Sequence, residues 1–311
     1  MTDQHQYLTF ACYLKQRYGG KLKKIALSTP ATCPNRDGSI STGGCYYCNN
    51  QSFNPVLARH ADESIRNQLR SGLGFLDSSG AYLGGIAYFQ TYSNTYGPPE
   101  QLKQWLSIPL EFEKIKIISI ATRPDCIGDE IMEVLDELSR QREIWLEIGL
   151  QSSSDSILRL INRGHTVCDF IRICGVLHQR LPHIRLSTHL IFGLPGETMP
   201  DVIRAAEIVN QCRLQGVKLH PLAVVRDTVM ADWLAEGKIS LINLEEYVDR
   251  VVAFIRHLDP GIAIERISED SRELLIAPDW VNRKHQIQKM VDEGLSKREG
   301  TDEAPSPMEM V

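Results

Sequence analysis

The sequence predicts an α/β fold built on a parallel sheet. Apolar, β-branched runs alternate with helical apolar spacing from residue 22 to residue 225. Cap residues and glycines mark the junctions. The alternation gives about six strand–helix units, and such units imply parallel strands with right-handed crossovers. A doubly wound sheet and a barrel both fit this pattern, and periodicity does not choose between them.

Lys24–Ser28 reads as a short strand that runs into a cysteine-bearing loop. Asp62–Leu73 reads as a helix, Tyr82–Gln90 as a strand and Pro98–Leu106 as a short helix. Lys114–Thr122 alternates and is β-branched, as a strand should be. Asp129–Arg140 carries apolar residues at 131, 134, 135 and 138, which is helical spacing. Glu143–Gln151 is the next strand. Ser152 and Asp155 resemble a capping box, with Gly164 as the stop of that helix. Phe170–Arg180 reads as a further helix and Ile184–Phe192 as a strand. Thr198, Pro200 and Asp201 suggest a second helix start, Gly216 ends that helix, and Lys218–Val225 follows as a strand. Residues 243–258 form one more amphipathic pattern. The domain reading is an extension over 1–21, the alternating region over 22–225, a small C-terminal domain over 226–295 and a disordered polar tail over 296–311.

The composition is that of an ordinary globular chain, 42% hydrophobic and 23% charged. A net charge of −5 gives the whole molecule no electrostatic case for nucleic acid. The N-terminus lacks signal-peptide character and no apolar run approaches a membrane span, so a cytoplasmic location without membrane contact is expected. Lys15, Arg17, Lys21, Lys23 and Lys24 crowd together, either as an RNA-facing patch or as a solvated basic face.

Chemistry is concentrated in CPNRDGSISTGGCYYC. Eleven residues separate Cys33 from Cys45 and two separate Cys45 from Cys48. Three thiolates close together suggest a metal or cluster site, one ligand short of a closed tetrahedral zinc or a fully ligated iron–sulfur cube. A [4Fe–4S] cluster here would keep one iron open for a small molecule. Spacing alone leaves zinc, with His60 as fourth ligand, equally open, and a Cys45/Cys48 dithiol is a third reading. Gly43 and Gly44 permit positive φ, which would let backbone amides face the sulfurs. Cys12, Cys126, Cys168, Cys174 and Cys212 read as small buried hydrophobes.

The loop resembles the radical S-adenosylmethionine (SAM) enzymes, whose usual signature is C-x3-C-x2-C with an aromatic before the third cysteine, here Tyr47. The wide first gap is similar to the Elongator catalytic-subunit-like branch. Together with YFQTYSNTY, ATRPDC, GLQ, INRGH, THLIFGLPGE and KLHPL, it is closer still to the YhcC/YtqA group of uncharacterised bacterial radical SAM proteins. These stretches run from about Tyr18 to Arg283.

The resemblance implies a partial (β/α)6 TIM-like barrel with a small C-terminal domain. It also implies a [4Fe–4S] cluster on Cys33, Cys45 and Cys48 whose open iron takes the amino and carboxylate groups of SAM. An electron then cleaves the sulfonium to methionine and a 5′-deoxyadenosyl radical. By the same resemblance Phe89, Gln90 and Thr91 lie along the methionine amine. Gln151 contacts the ribose region, Arg163 faces the SAM carboxylate, and Gly193, Leu194, Pro195 and Gly196 approach adenine. His189 stands where relatives carry an acidic ribose contact, and neutral imidazole also accepts a hydrogen bond. Arg123, Asp125, His165 and His220 are candidates to face substrate or to serve structure. With no second cysteine cluster, an external electron donor, flavodoxin or ferredoxin, is implied. The substrate readings are a tRNA base, or a small metabolite or peptide. A zinc-stabilised binding scaffold is the non-enzymatic alternative.

Overall fold

The computed structural model describes residues 5–49, 64–268 and 274–297. The expectation for His60 lies outside the described residues, as does that for the tail beyond Lys297.

Helix α1 (Phe10–Tyr18) precedes strand β1 (Leu22–Leu27), and α2 (Ile65–Ser79) leads to β2 (Gly84–Phe89). Then come α3 (Pro99–Ser107), β3 (Ile115–Thr122), α4 (Asp129–Ser139) and β4 (Glu143–Gln151). Helices α5 (Asp155–Leu160) and α6 (Val167–Arg180) lead to β5 (Arg185–Phe192), and α7 (Met199–Gln211) leads to β6 (Gly216–Pro221). Strand β7 (Val224–Val225), α8 (Val229–Ala235), α9 (Leu244–His257), β8 (Ala263–Arg266), β9 (Leu275–Ala277) and α10 (Lys284–Ser296) complete the described chain.

Seven strands form one parallel sheet in the order β1-β2-β3-β4-β5-β6-β8. This is the partial TIM-like barrel, with a seventh strand supplied from beyond residue 225. Chain order equals spatial order through the first six strands, so the sheet winds one way and curls. Lys24 on the first strand reaches Glu265 on the last at 2.6 Å, across the gap that the curl leaves. The N-terminal segment lies along that edge through the bridge Thr9–Ile264. The last predicted strand is split: β6 ends at Pro221, and Val224–Val225 pairs antiparallel with β9 instead.

The two faces of the sheet differ as strand alternation requires. Leu27, Phe89, Ile120, Leu146, Leu190 and Phe192 are fully buried in the main core between strands and helices. On the inner face, Leu22, Ile86, Ile117 and Trp145 near the strand starts form a second cluster with Leu14. Phe10 and Tyr13 stand edge-on to Trp145 at 5.1 and 5.4 Å, so α1 plugs that end of the barrel. The opposite end, where strands finish and loops begin, holds the cysteine loop.

Two local expectations are corrected. Ser152 and Asp155 do not form a capping box: Ser152 Oγ accepts from Ser154 N, and Asp155 Oδ1 accepts from Val167 N at 2.8 Å. The capping box belongs to the next helix, at Thr166 and Asp169. The one at Thr198 and Asp201 is formed. Of the scattered cysteines, Cys126, Cys174 and Cys212 are buried, but Cys168 is exposed and Cys12 half-exposed.

Candidate active site

A cavity of about 1040 Å³ fills the curl of the sheet from the plug to the cysteine loop. It has room for a cofactor and a substrate together, being at the upper end of ordinary ligand pockets. Cys33, Cys45 and Cys48 all lie in its wall.

The long insert between Cys33 and Cys45 is folded on itself. Cys33 O accepts from the amides of Arg36 and Asp37, and Ile40 N donates to Pro34 O at 2.9 Å. Gly43 and Gly44 take φ of 80° and 88°, which only glycine adopts without strain. The Gly44 amide does not turn to a sulfur, however; it donates to Asn35 O at 2.7 Å. Side chains face the sulfurs instead. Asn35 Nδ2 and Arg163 Nη1 each lie 3.5 Å from Cys45 Sγ, and Ser93 Oγ lies 4.0 Å from Cys33 Sγ. Arg36 Nη2 donates to Cys48 O at 2.7 Å and braces the last turn. Burial pushes the Cys45 thiol up, and Arg163, Arg123 and Asn35 together outweigh this and hold it below the ordinary thiol range. Burial and the Cys45 charge push the Cys48 thiol up to about 11.

This donor set fits an iron–sulfur cluster: three soft ligands from one loop, with N–H and O–H groups aimed at sulfur. Among the described residues, no group of three His, Cys, Asp or Glu is arranged to hold a single metal ion.

Strand β4 ends in a bulge between Gly149 and Gln151, and Gln151 has a φ of 74°. Such a φ in a non-glycine residue marks a position held by its surroundings. Gln151 faces the cavity. Arg163, beyond α5, returns to the same place: Nη2 donates to Gly149 O at 3.0 Å and Nε to His165 Nε2 at 2.9 Å. It is therefore not a solvent-facing helix-end cation. His165 is buried; desolvation, then the neighbouring Arg163, lowers it to about 3. Neutral, it can accept from Arg163 at Nε2, with Nδ1 3.3 Å from Thr166 O, which makes it a support for Arg163.

A Cβ added at Gly149 would sit 2.8 Å from Arg163 Nη2 and closer still to the Gln151 amide. If Gln151 and Arg163 hold SAM, as the resemblance implies, Gly149→Ala should keep the fold and weaken SAM binding by about tenfold or more, the scale of lost support for a ligand. Equilibrium dialysis with SAM checks this; unchanged affinity would count against a cofactor role for Gln151 and Arg163.

Gln90 and Thr91 also face the cavity. Phe89 does not, since its ring is fully buried in the main core. The carbonyls of Phe89 and Thr91 accept from Asn94 Nδ2 at 3.1 and 2.8 Å. His189 and His220 line the cavity with ring centroids 5.5 Å apart. His189 Nε2 lies 2.8 Å from Glu147 Oε2. Burial, then Lys218, lowers this imidazole to about 4, so it is neutral. Nε2–H then donates to Glu147 and Nδ1 remains an acceptor.

Gly193–Gly196 is the turn from β5 into α7, and none of its residues is among those lining the cavity. Leu194 is buried in the core, and a Cβ on Gly193 would meet Ile242 at 2.8 Å. Gly193 N donates to Glu197 Oε2 at 2.6 Å. Burial raises the Glu197 carboxyl from 4.5 to about 7. A carboxyl whose folded pKa is raised takes up a proton on folding, so its stabilising effect falls as pH rises from about 4.5 to about 7. Glu197→Gln is expected to remove this slope and to gain on the order of 1–3 kcal/mol at pH 8. Urea denaturation at pH 5 and pH 8 measures both.

Sequence reasoning missed the layer midway down the cavity. Glu147, buried in β4, bonds Lys218, Ser119 Oγ at 2.6 Å and Lys24 at 3.1 Å. Lys218 also donates to Tyr88 OH at 3.0 Å, and both lysines lie over the Tyr88 ring. The available signal was a charge inside otherwise apolar strands, Glu147 in EIWLEIGLQ and Lys218 in KLHPL. One member of the basic cluster near the N-terminus leaves it: Lys24 points into the barrel, while Lys15, Arg17, Lys21 and Lys23 stay exposed, Arg17 pairing with Glu143 at 2.5 Å.

Residues 29–209 match the Radical SAM superfamily, and residues 214–297 match the Radical_SAM C-terminal domain. The chain belongs to the radical SAM superfamily. This enzyme is 36% identical over 273 residues to protein YhcC of Escherichia coli K12, covering 87% of this chain and 86% of that one. It is 31% identical over 298 residues to the uncharacterised YtqA of Bacillus subtilis 168, covering 95% and 91%. Elp3 of the archaeon Methanocaldococcus infernus superposes with a TM-score of 0.67 at 18% identity, covering 89% of this chain and 64% of that structure, a likeness of fold. As a radical SAM enzyme it uses a [4Fe–4S] cluster and SAM, which replaces the zinc-scaffold and dithiol readings. No helix among the described residues is long and apolar enough to cross a membrane.

Proposed function

We propose that Cys33, Cys45 and Cys48 hold the cluster and that SAM lies in the upper cavity, between the cysteine loop and the charged layer. When bound and reduced, the cluster supplies the electron that cleaves SAM to methionine and a 5′-deoxyadenosyl radical. The observation that carries this reading is the shared cavity, which the three cysteines line together with Gln90, Thr91, Gln151 and Arg163. Gln151 and the Nδ1 acceptor of His189 would orient the ribose, and backbone groups at Gln90 and Thr91 the methionine end. The Gly193–Gly196 turn would act from beneath, by fixing the end of β5. The α1 plug and Trp145 keep water from entering at the strand starts, which a radical site requires. An external reductant, flavodoxin or ferredoxin, would supply the electron.

The group attacked would enter from the loop end and rest on the layer of Lys24, Tyr88, Glu147 and Lys218. A small metabolite or peptide suits this closed floor better than RNA, because the layer lies deep in a cavity enclosed by the curled sheet. Anaerobic reconstitution with iron and sulfide, then SAM and dithionite, tests the activity: formation of 5′-deoxyadenosine is expected. A protein that takes up zinc but no iron and sulfide would sink it. Binding of labelled tRNA with a steep salt dependence, lost on neutralising Lys15, Lys21 and Lys23, would restore the RNA reading.

A further inference from the structure

Three guanidiniums surround the cysteine loop, and two have their work accounted for. Arg36 braces Cys48 O, and Arg163 reaches Cys45 Sγ. The third, Arg123, follows β3 and is 2% exposed. One edge is clamped by Asp125, Nε to Oδ1 at 2.9 Å and Nη2 to Oδ2 at 3.0 Å. Its Nη1 is buried with no hydrogen-bond partner, although the residue lines the same cavity as the three cysteines.

A buried cationic donor left unpaired is costly, by more than a neutral group would be. The pair Arg123–Asp125 is also an odd choice for structure alone. The carboxylate is 22% exposed while the guanidinium is buried, so the pair carries its positive end inward. The clamp fixes the plane of the guanidinium and leaves Nη1 as its one terminal nitrogen without a protein acceptor, at the wall of that cavity. The surroundings place this guanidinium beside the cysteine loop, where its charge acts on Cys45. A Cβ on Gly164 would come 3.3 Å from Arg123 Nη2 and 2.7 Å from Oδ1 of Asn35, whose Nδ2 lies against Cys45 Sγ.

We propose that Arg123, oriented by Asp125, is an anion-binding residue of the cofactor site whose Nη1 donates to an anionic acceptor of the bound cofactors. The acceptor is either cluster sulfur or the carboxylate of SAM. A cationic donor at the cluster stabilises its reduced form, and a guanidinium is matched to a carboxylate. The inference rests on the radical SAM reading of the cavity.

The test uses the full chain, reconstituted anaerobically, as wild type, Arg123→Gln, Arg123→Lys and Asp125→Asn. Iron and sulfide content comes first. The cluster potential without SAM is then followed by electron paramagnetic resonance, and equilibrium affinity is measured for SAM and for decarboxylated SAM. If the acceptor is cluster sulfur, Arg123→Gln keeps its cluster and the potential moves to a more negative value, with partial rescue in Arg123→Lys. If it is the carboxylate, Arg123→Gln binds SAM about tenfold or more weakly, while decarboxylated SAM binds as to wild type. In either case Asp125→Asn gives a smaller change in the same direction. An unchanged potential together with unchanged SAM affinity overturns the proposal. So does loss of the cluster in Arg123→Gln and Arg123→Lys alike, which would make the residue structural. Wild-type protein that takes up no iron and sulfide overturns the radical SAM reading itself, and this proposal with it.

Discussion

Replacing any one of Cys33, Cys45 or Cys48 with alanine is expected to abolish [4Fe–4S] assembly and 5′-deoxyadenosine formation. The loss should go well beyond the roughly 10–100-fold that follows removal of a supporting residue near a metal. All three cysteines line one cavity, and no other thiol among the described residues lines it. Removing one leaves two thiolates for a cube that has one open iron already. The supports should grade differently. Asn35→Ala removes one of two donors on Cys45 Sγ while Arg163 keeps the other, so it should weaken the cluster without preventing assembly. Cys168→Ser, on an exposed face of α6, should change nothing. Iron and sulfide analysis with the absorbance of the reconstituted protein reads all of these. A Cys45→Ala protein with a full cluster would remove the basis of the site.

Much of this site was legible because its chemistry is local in sequence. Cys45 and Cys48 are one turn apart, and Gln151 and Arg163 flank one short helix, so a linear reading reaches them. The strands were legible because a parallel sheet covered by helices needs β-branched apolar runs. What stayed hidden is what only three dimensions bring together. Asn35 touches Cys45 only because the loop folds back, and Asn94 holds the Phe89 and Thr91 carbonyls from across a turn. Phe89 and Gln90 are neighbours in sequence, yet strand alternation sends one into the core and the other to the cavity. The GLPGE run resembles a ligand loop, and only the fold shows that it turns outside the cavity lining with Gly193 packed on Ile242. Ser152 and Asp155 match a capping pattern by spacing, but Asp155 is drawn to the amide of Val167, twelve residues away. The lysines near the N-terminus looked like one patch because composition does not record the inward turn of Lys24.

Glu147 is the residue whose loss should cost the fold most. Its side chain is 1% exposed and lies between Lys218 and Lys24, with Ser119 and His189 on its remaining lone pairs. Burial pushes its carboxyl up, and Lys218 and Lys24 outweigh this, holding it well below the usual carboxylate range. Glu147→Ala would leave Lys218 buried beside Lys24 with Glu265 as the nearest remaining anion, 3.8 Å from Lys218 and 2.6 Å from Lys24. Breaking a buried pair from one side costs about 3–5 kcal/mol, which for a chain of this size is a drop of roughly 5–8 °C in Tm. Removing both charges is a different case. Glu147→Leu with Lys218→Met leaves Lys24 and Glu265 paired, and apolar replacement of a whole buried pair is often neutral. The double variant should therefore recover most of the loss, a coupling that a double-mutant cycle measures directly. The pH dependence has a fixed sign. A carboxylate whose folded pKa is lowered contributes stability above its ordinary range and loses it as pH falls. Wild type should then weaken on acidification below about pH 4.5, and both Glu147 variants should show less of that slope. Additive single and double effects would mean that the lysines find other partners and that the layer is not one network. Recovered stability would also separate structure from chemistry. Without Glu147 nothing fixes Nε2–H of His189, so a double variant that is stable yet binds SAM less tightly would assign the layer a second task, orienting the imidazole above it.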